Sequence, residues 1–154
     1  MSDSSSDARL SGLYQELILD HYRRPRNKGT LEAPTAKASL RNPLCGDEVD
    51  VQVELKDGRV ADVRFGGHGC SISQASASMM TELVKGRTPE EVHALGEKFA
   101  AMIRGEAGAA SDQALGQARA LSGVSRFPTR VKCAMIAWEA MARAVKPADR
   151  KSVV

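Results

Sequence analysis

The sequence predicts an α+β domain, a small antiparallel sheet of about three strands packed against several helices. Three observations predict it. The run Val49-Asp-Val-Gln-Val-Glu-Leu55 alternates apolar and polar residues without a break, the pattern of a half-buried strand. Asp57-Gly58 follows, and Ala61, Val63 and Phe65 then share one face; the dipeptide suits a tight turn whose two central residues both need positive φ. On either side of this hairpin, apolar residues recur at steps of three and four, the period of amphipathic helices.

Residues 1–7 are polar and acidic and read as a loose tail. Leu10, Leu13, Tyr14, Leu17, Ile18 and Tyr22 mark the first helix, and Pro25 ends it. Residues 26–36 read as a loop, with a short strand over Lys37–Leu40 before the hairpin. Gly66-Gly-His-Gly69 is expected to break the return strand. Cys70 stands before Ser71-Ile-Ser-Gln-Ala-Ser-Ala-Ser-Met-Met80, whose small residues imply a tightly packed helix reaching Lys85. Thr88-Pro89-Glu90-Glu91 is a helix start: a capping threonine, proline at the first position, then acids. That helix should run to about Arg104, followed by a loop over 105–110 and a helix near 112–121. Phe127-Pro128 opens the last helix, with a stripe of Val131, Ala134, Met135, Trp138, Met141, Ala142 and Val145, and Pro147 closes it. The expected organisation is a tail over 1–7, one domain over 8–146 and a C-terminal tail over 147–154.

The 154 residues suit one domain. Apolar residues at 42% and charged residues at 27% exclude a wholly disordered or fibrous chain. A net charge of +3 is too balanced for a nucleic-acid binder. No apolar run reaches the ~18 residues of a membrane span, and the start has neither the basic nor the apolar part of a secretory signal. The expectation is a cytoplasmic protein with no nucleic-acid or membrane partner. The densest basic run, His21-Tyr-Arg-Arg-Pro-Arg-Asn-Lys28, reads as a solvated helix end or a docking surface. His21 and His93 read as surface or helix-face residues.

Cys45, Cys70 and Cys133 are the three cysteines. An odd count without an export signal or a CxxC pair argues against disulfides and a thioredoxin-like site. Three separate buried thiols, one catalytic thiol, or a metal site built from distant segments remain open. All three lie at element boundaries, and helix starts favour the thiolate that binds metal or attacks sulfur. Zinc on three thiolates needs a fourth donor. Asp47, two residues from Cys45 across Gly46, and His68, two residues before Cys70, both qualify.

Three stretches together resemble the IscU/SufU family of iron–sulfur cluster assembly proteins: Asn42-Pro-Leu-Cys-Gly-Asp47, Gly69-Cys-Ser-Ile-Ser-Gln-Ala-Ser-Ala-Ser-Met-Met80 and Arg130-Val-Lys-Cys-Ala-Met-Ile-Ala-Trp138. The likeness extends over roughly residues 8–146 and includes Leu13-Tyr-Gln-Glu-Leu-Ile-Leu-Asp-His-Tyr22 and Pro25-Arg-Asn27. Lys132 stands where IscU-type scaffolds carry a histidine before the third cysteine. The stretch between Cys70 and Cys133 resembles the SufU insertion, supplied mostly by residues 88–110. The resemblance therefore points to the SufU branch. It implies Cys45, Asp47, Cys70 and Cys133 as zinc ligands, Cys45 as the sulfur acceptor and Arg130 as a partner contact. It implies a SufS-type cysteine desulfurase as partner, whose pyridoxal phosphate belongs to that enzyme, and iron–sulfur assembly proteins downstream. A histidine of the partner would take the place of Cys45 on the zinc. An IscU-like scaffold, on which the iron–sulfur cluster itself is built, is the alternative.

Overall fold

A computed structural model describes residues 3–43 and 46–146, with side chains from residue 12 onward. Cys45 and the segment 147–154, expected as a tail with Pro147 as the helix stop, lie outside the described residues. Among the described residues, four α-helices and three strands follow in order: α1 (Asp3–Arg23), β1 (Ala36–Asn42), β2 (Asp47–Lys56), β3 (Arg59–His68), α2 (Ser71–Val84), α3 (Pro89–Ile103) and α4 (Pro128–Ala144). The strands form one antiparallel sheet in the order β1-β2-β3. The fold is the α+β architecture that the sequence predicts. None of the described helices is long and apolar enough to cross a membrane.

The hairpin turns where expected. Asp57 and Gly58 take φ of 55° and 75°, the left-handed pair that a two-residue turn requires. Alternation along β2 sends Val49, Val51 and Val53 into the core, beside Val63 and Phe65 of β3. Helices α2 and α4 cover this face. Small residues on α2 let the two helices approach, and the buried Ser76 hydroxyl donates to the Ala134 carbonyl at 2.7 Å. Phe99 of α3 stacks on Trp138 of α4, ring centroids 4.7 Å apart, which closes the far side of the core.

Four expectations change. Helix α1 begins at Asp3 rather than near Leu10, so residues 3–7 continue the helix instead of forming a tail. No proline or glycine interrupts Asp3–Leu10, and acids near a helix start suit its dipole. Gly66-Gly-His68 extends β3 instead of breaking it. A Cβ on Gly67, at φ 104°, would overlap the Glu48 carbonyl, so the glycine permits close pairing with β2. The helix expected near 112–121 is a longer 3-10 stretch, Gln113–Arg126, kinked where Gly116 leaves helical φ/ψ. Finally, His21 is fully buried rather than superficial. Its Nδ1 lies 2.7 Å from Ser78 Oγ and its Nε2 2.6 Å from Gln117 Oε1. The Arg26 backbone N–H already donates to Ser78 Oγ. The Ser78 hydroxyl thus joins the Arg26 backbone to Nδ1, and Gln117 holds the other ring nitrogen. The His21 ring thus joins α1, α2 and the 3-10 stretch.

The loop after α1 lies along the free edge of β3. Asn27 accepts from the Phe65 N–H at 3.0 Å, and the Gly29 N–H donates back to Phe65 at 2.9 Å. In the basic run, Arg26 pairs with Asp20 at 2.7 Å, Lys28 donates to Gln74 at 3.1 Å, and Arg23 and Arg24 stay exposed.

Thr88 caps α3 in a full capping box with Glu91. The Thr88 backbone N–H at 3.0 Å holds the Glu91 carboxyl below its ordinary value, against a smaller opposing effect of burial, with Arg59 and Arg87 assisting. A carboxyl depressed by folding stabilises above its unfolded pKa and loses that contribution as pH falls through the folded value. Thr88→Ala should therefore cost about 1 kcal/mol at neutral pH in urea unfolding. Glu91→Gln should flatten the acid side of the stability profile, and an unchanged profile would count against the capping box.

Candidate metal centre

Asp47 opens β2 and follows its alternation, so its side chain points to the core face with Val49 and Val51. A carboxylate at 0% exposure is costly without partners. Its Oδ1 accepts from the Cys70 backbone N–H at 3.0 Å, and its Oδ2 lies 3.9 Å from Cys70 Sγ. Cys70 is the N-cap of α2, with extended backbone (φ −72°, ψ 171°). The positive end of the α2 dipole therefore faces both the carboxylate and the thiol.

Gly69 makes this approach possible. A Cβ at that position would overlap Asp47 Oδ1 and Ser73 Oγ. The residue before Cys70 must lack a side chain because the Asp47 carboxylate takes its space. In the sequence these glycines read as strand breakers. Their packing role depends on where Asp47 ends up, and no local signal carries that.

Cys133 enters from the first turns of α4 and is 1% exposed. The donor atoms of Asp47, Cys70 and Cys133 all lie within 4.8 Å of one another. They come from a strand, a helix cap and a second helix, with 63 positions separating the two cysteines. Ionised together, one oxygen and two sulfurs at this spacing would repel strongly in a buried site. A divalent cation removes that repulsion, and a set with two soft sulfurs and one hard oxygen fits zinc. Cys45, two residues before Asp47, is the fourth predicted donor and lies outside the described residues.

The other predicted residues fall elsewhere. His68, the competing donor, is exposed at the end of β3, paired across the sheet with Glu48, and is not in the cluster. Arg130 and Lys132 are exposed on the opening turns of α4. His93 bonds the Val145 carbonyl at 2.5 Å and so holds the end of α4.

The NifU-like N-terminal domain family matches residues 13–153 of this sequence. The chain belongs to that family. This NifU-like domain is 43% identical over 141 residues to the zinc-dependent sulfurtransferase SufU of Bacillus subtilis (strain 168), covering 92% of this chain and 95% of that one. It is 40% identical over 139 residues to the iron–sulfur cluster assembly scaffold protein IscU of Streptococcus pyogenes serotype M1, covering 90% and 86%. Its fold superposes with a TM-score of 0.79 on the crystal structure of a putative iron–sulfur cluster assembly scaffold protein for the SUF system from Fervidobacterium islandicum AW-1. That pair shares 32% identity and covers 85% and 95% of the two chains. The NifU-like domain is thus a member of the iron–sulfur cluster assembly scaffold family, as the cysteine motifs imply.

Two substitutions test the cluster. Asp47→Ala is expected to lose zinc to a competing chelator far faster than the parent protein. Gly69→Ala, which displaces the carboxylate without removing it, should weaken retention about tenfold to a hundredfold. Unchanged zinc content in Asp47→Ala would take Asp47 out of the ligand set.

Proposed function

We propose that this protein is a zinc-dependent sulfurtransferase that receives persulfide sulfur on Cys45 from a SufS-type cysteine desulfurase and passes it into iron–sulfur cluster assembly. The observation that carries this reading is the convergence of Asp47, Cys70 and Cys133 donor atoms within 4.8 Å, two residues along the chain from Cys45. Lys132 supports it, because a histidine is expected there in IscU-type scaffolds. The 43% identity to a relative named as a zinc-dependent sulfurtransferase supports it further.

Cys45, Asp47, Cys70 and Cys133 would hold the zinc. The ion would keep the thiols ionised near neutral pH, where a free thiol of pKa ~8.5 is mostly protonated. The transfer itself belongs to Cys45. Its thiolate attacks the terminal sulfur of the partner's persulfide, a new S–S bond forms on Cys45, and the partner's thiolate leaves with the electron pair of the broken bond. No net oxidation occurs. Asp47, Cys70 and Cys133 are anchored on a strand and two helices and would keep the ion while Cys45 reacts. Arg130, exposed three positions before Cys133, is the cation that meets the partner beside the acceptor.

A scaffold that carries the iron–sulfur cluster as cargo is the second reading. Thiolates serve iron as well as zinc, and a relative at 40% identity is named as a scaffold.

Cys45→Ser is expected to gain no sulfur mass after mixing with the persulfide-loaded desulfurase, whereas the parent chain gains one sulfur atom at Cys45. A variant that accepts sulfur normally would refute the acceptor role. A brown protein with visible absorption after anaerobic purification would favour the scaffold; a colourless zinc protein favours transfer.

A further inference from the structure

Helix α4 carries a straight row at Lys132, Ile136, Glu139 and Arg143, spaced by four, three and four residues. With the end of β1 around Arg41 and the following Pro43, this row lines a cleft of about 350 Å³. The cleft adjoins the metal centre at both walls. Pro43 stands two residues before Cys45, and Lys132 is bonded to Cys133.

The cleft is cationic. Arg41 is engaged by Glu48 at 3.3 Å. Among the described residues, neither Lys132 nor Arg143 forms an ion pair. Glu139 is the single acid on the walls. The apolar parts are Leu40 and Ile136. Lys132 and Arg143 are eleven residues apart, about 16 Å along the helix axis. A single carboxylate or phosphate does not span that distance. An extended peptide of about five residues does.

We propose that this cleft docks an extended acidic segment of the protein that delivers persulfide sulfur. Acidic side chains at the two ends of the segment would meet Lys132 and Arg143, and an apolar one between them would meet the half-buried Leu40. The proposal rests on the reading of Cys45 as sulfur acceptor. Charges of this kind set the encounter rate and the register of a complex more than the chemistry that follows.

The test is cysteine turnover by a purified SufS-type desulfurase, followed against increasing concentrations of the full chain. Arg143→Glu should raise the half-saturating concentration about tenfold, which corresponds to ~1.4 kcal/mol, and leave the saturating rate unchanged. Glu139→Gln should lower the half-saturating concentration, an improvement that no folding defect mimics. Added salt should weaken the parent chain more than Arg143→Glu, because it screens an attraction that the variant has lost. Unchanged half-saturation in Arg143→Glu, or weaker binding by Glu139→Gln, would overturn the proposal. So would a dimer of the chain alone that Arg143→Glu dissolves, because the cleft would then serve a second copy. Competition by inorganic phosphate beyond its ionic-strength effect would also overturn it, in favour of a small anion. The two readings fail separately. A Cys45→Ser chain that still accepts sulfur defeats the acceptor role while the shift in Arg143→Glu upholds the docking cleft.

Discussion

Everything near the centre follows from a carboxylate forced inward. Asp47 takes a core-facing place on β2 because it obeys the same alternation that buries Val49, Val51 and Val53. A buried carboxylate needs compensation, and the Cys70 N–H and the start of α2 supply part of it. The same geometry brings the Cys70 thiol alongside, and α4 adds Cys133. Three groups that gain charge on ionising are then packed together, Asp47 and Cys133 buried and Cys70 partly so. A cation is the simplest arrangement that lets all three ionise, so their mutual repulsion favours binding a metal.

The scaffold beneath is built to keep this cluster rigid. Gly69 leaves room for the carboxylate, and the Ser76 hydroxyl ties α2 to α4 one residue from Cys133. His21 gives the opposite side of α2 a polar anchor, fully satisfied by Ser78 and Gln117. Buried polar groups with complete partners specify one arrangement of helices over near alternatives. The segment expected as the insertion becomes α3, which reaches the core through Phe99 on Trp138.

A sulfur acceptor has conflicting needs. It must be held as a thiolate, and it must also reach a partner. Under the proposed function, the conflict is divided along the chain. Asp47, Cys70 and Cys133 sit on a strand, a helix cap and a helix, whereas Cys45 falls in the connecting sequence between β1 and β2. The cationic cleft runs from that connection along α4. Recognition and chemistry would then share one face of the molecule.

Local patterns determined much of this protein. The alternation of β2, the Asp57-Gly58 turn, the Thr88-Pro89 start and the three cysteine motifs are all encoded within a few residues, where steric and hydrogen-bonding preferences act without help from distant parts of the chain. The family was legible for the same reason, since its motifs are contiguous. Other features were decided only by packing. The burial of His21 depends on Ser78 and Gln117, residues 57 and 96 positions away. The role of Gly69 depends on the Asp47 carboxylate, and the convergence of Asp47 with two cysteines depends on α2 and α4 meeting over one sheet face. The row ending at Arg143 becomes a cleft only when β1 lies beside it. Contacts between remote residues are selected by the free energy of the whole core, and a one-dimensional pattern does not contain them.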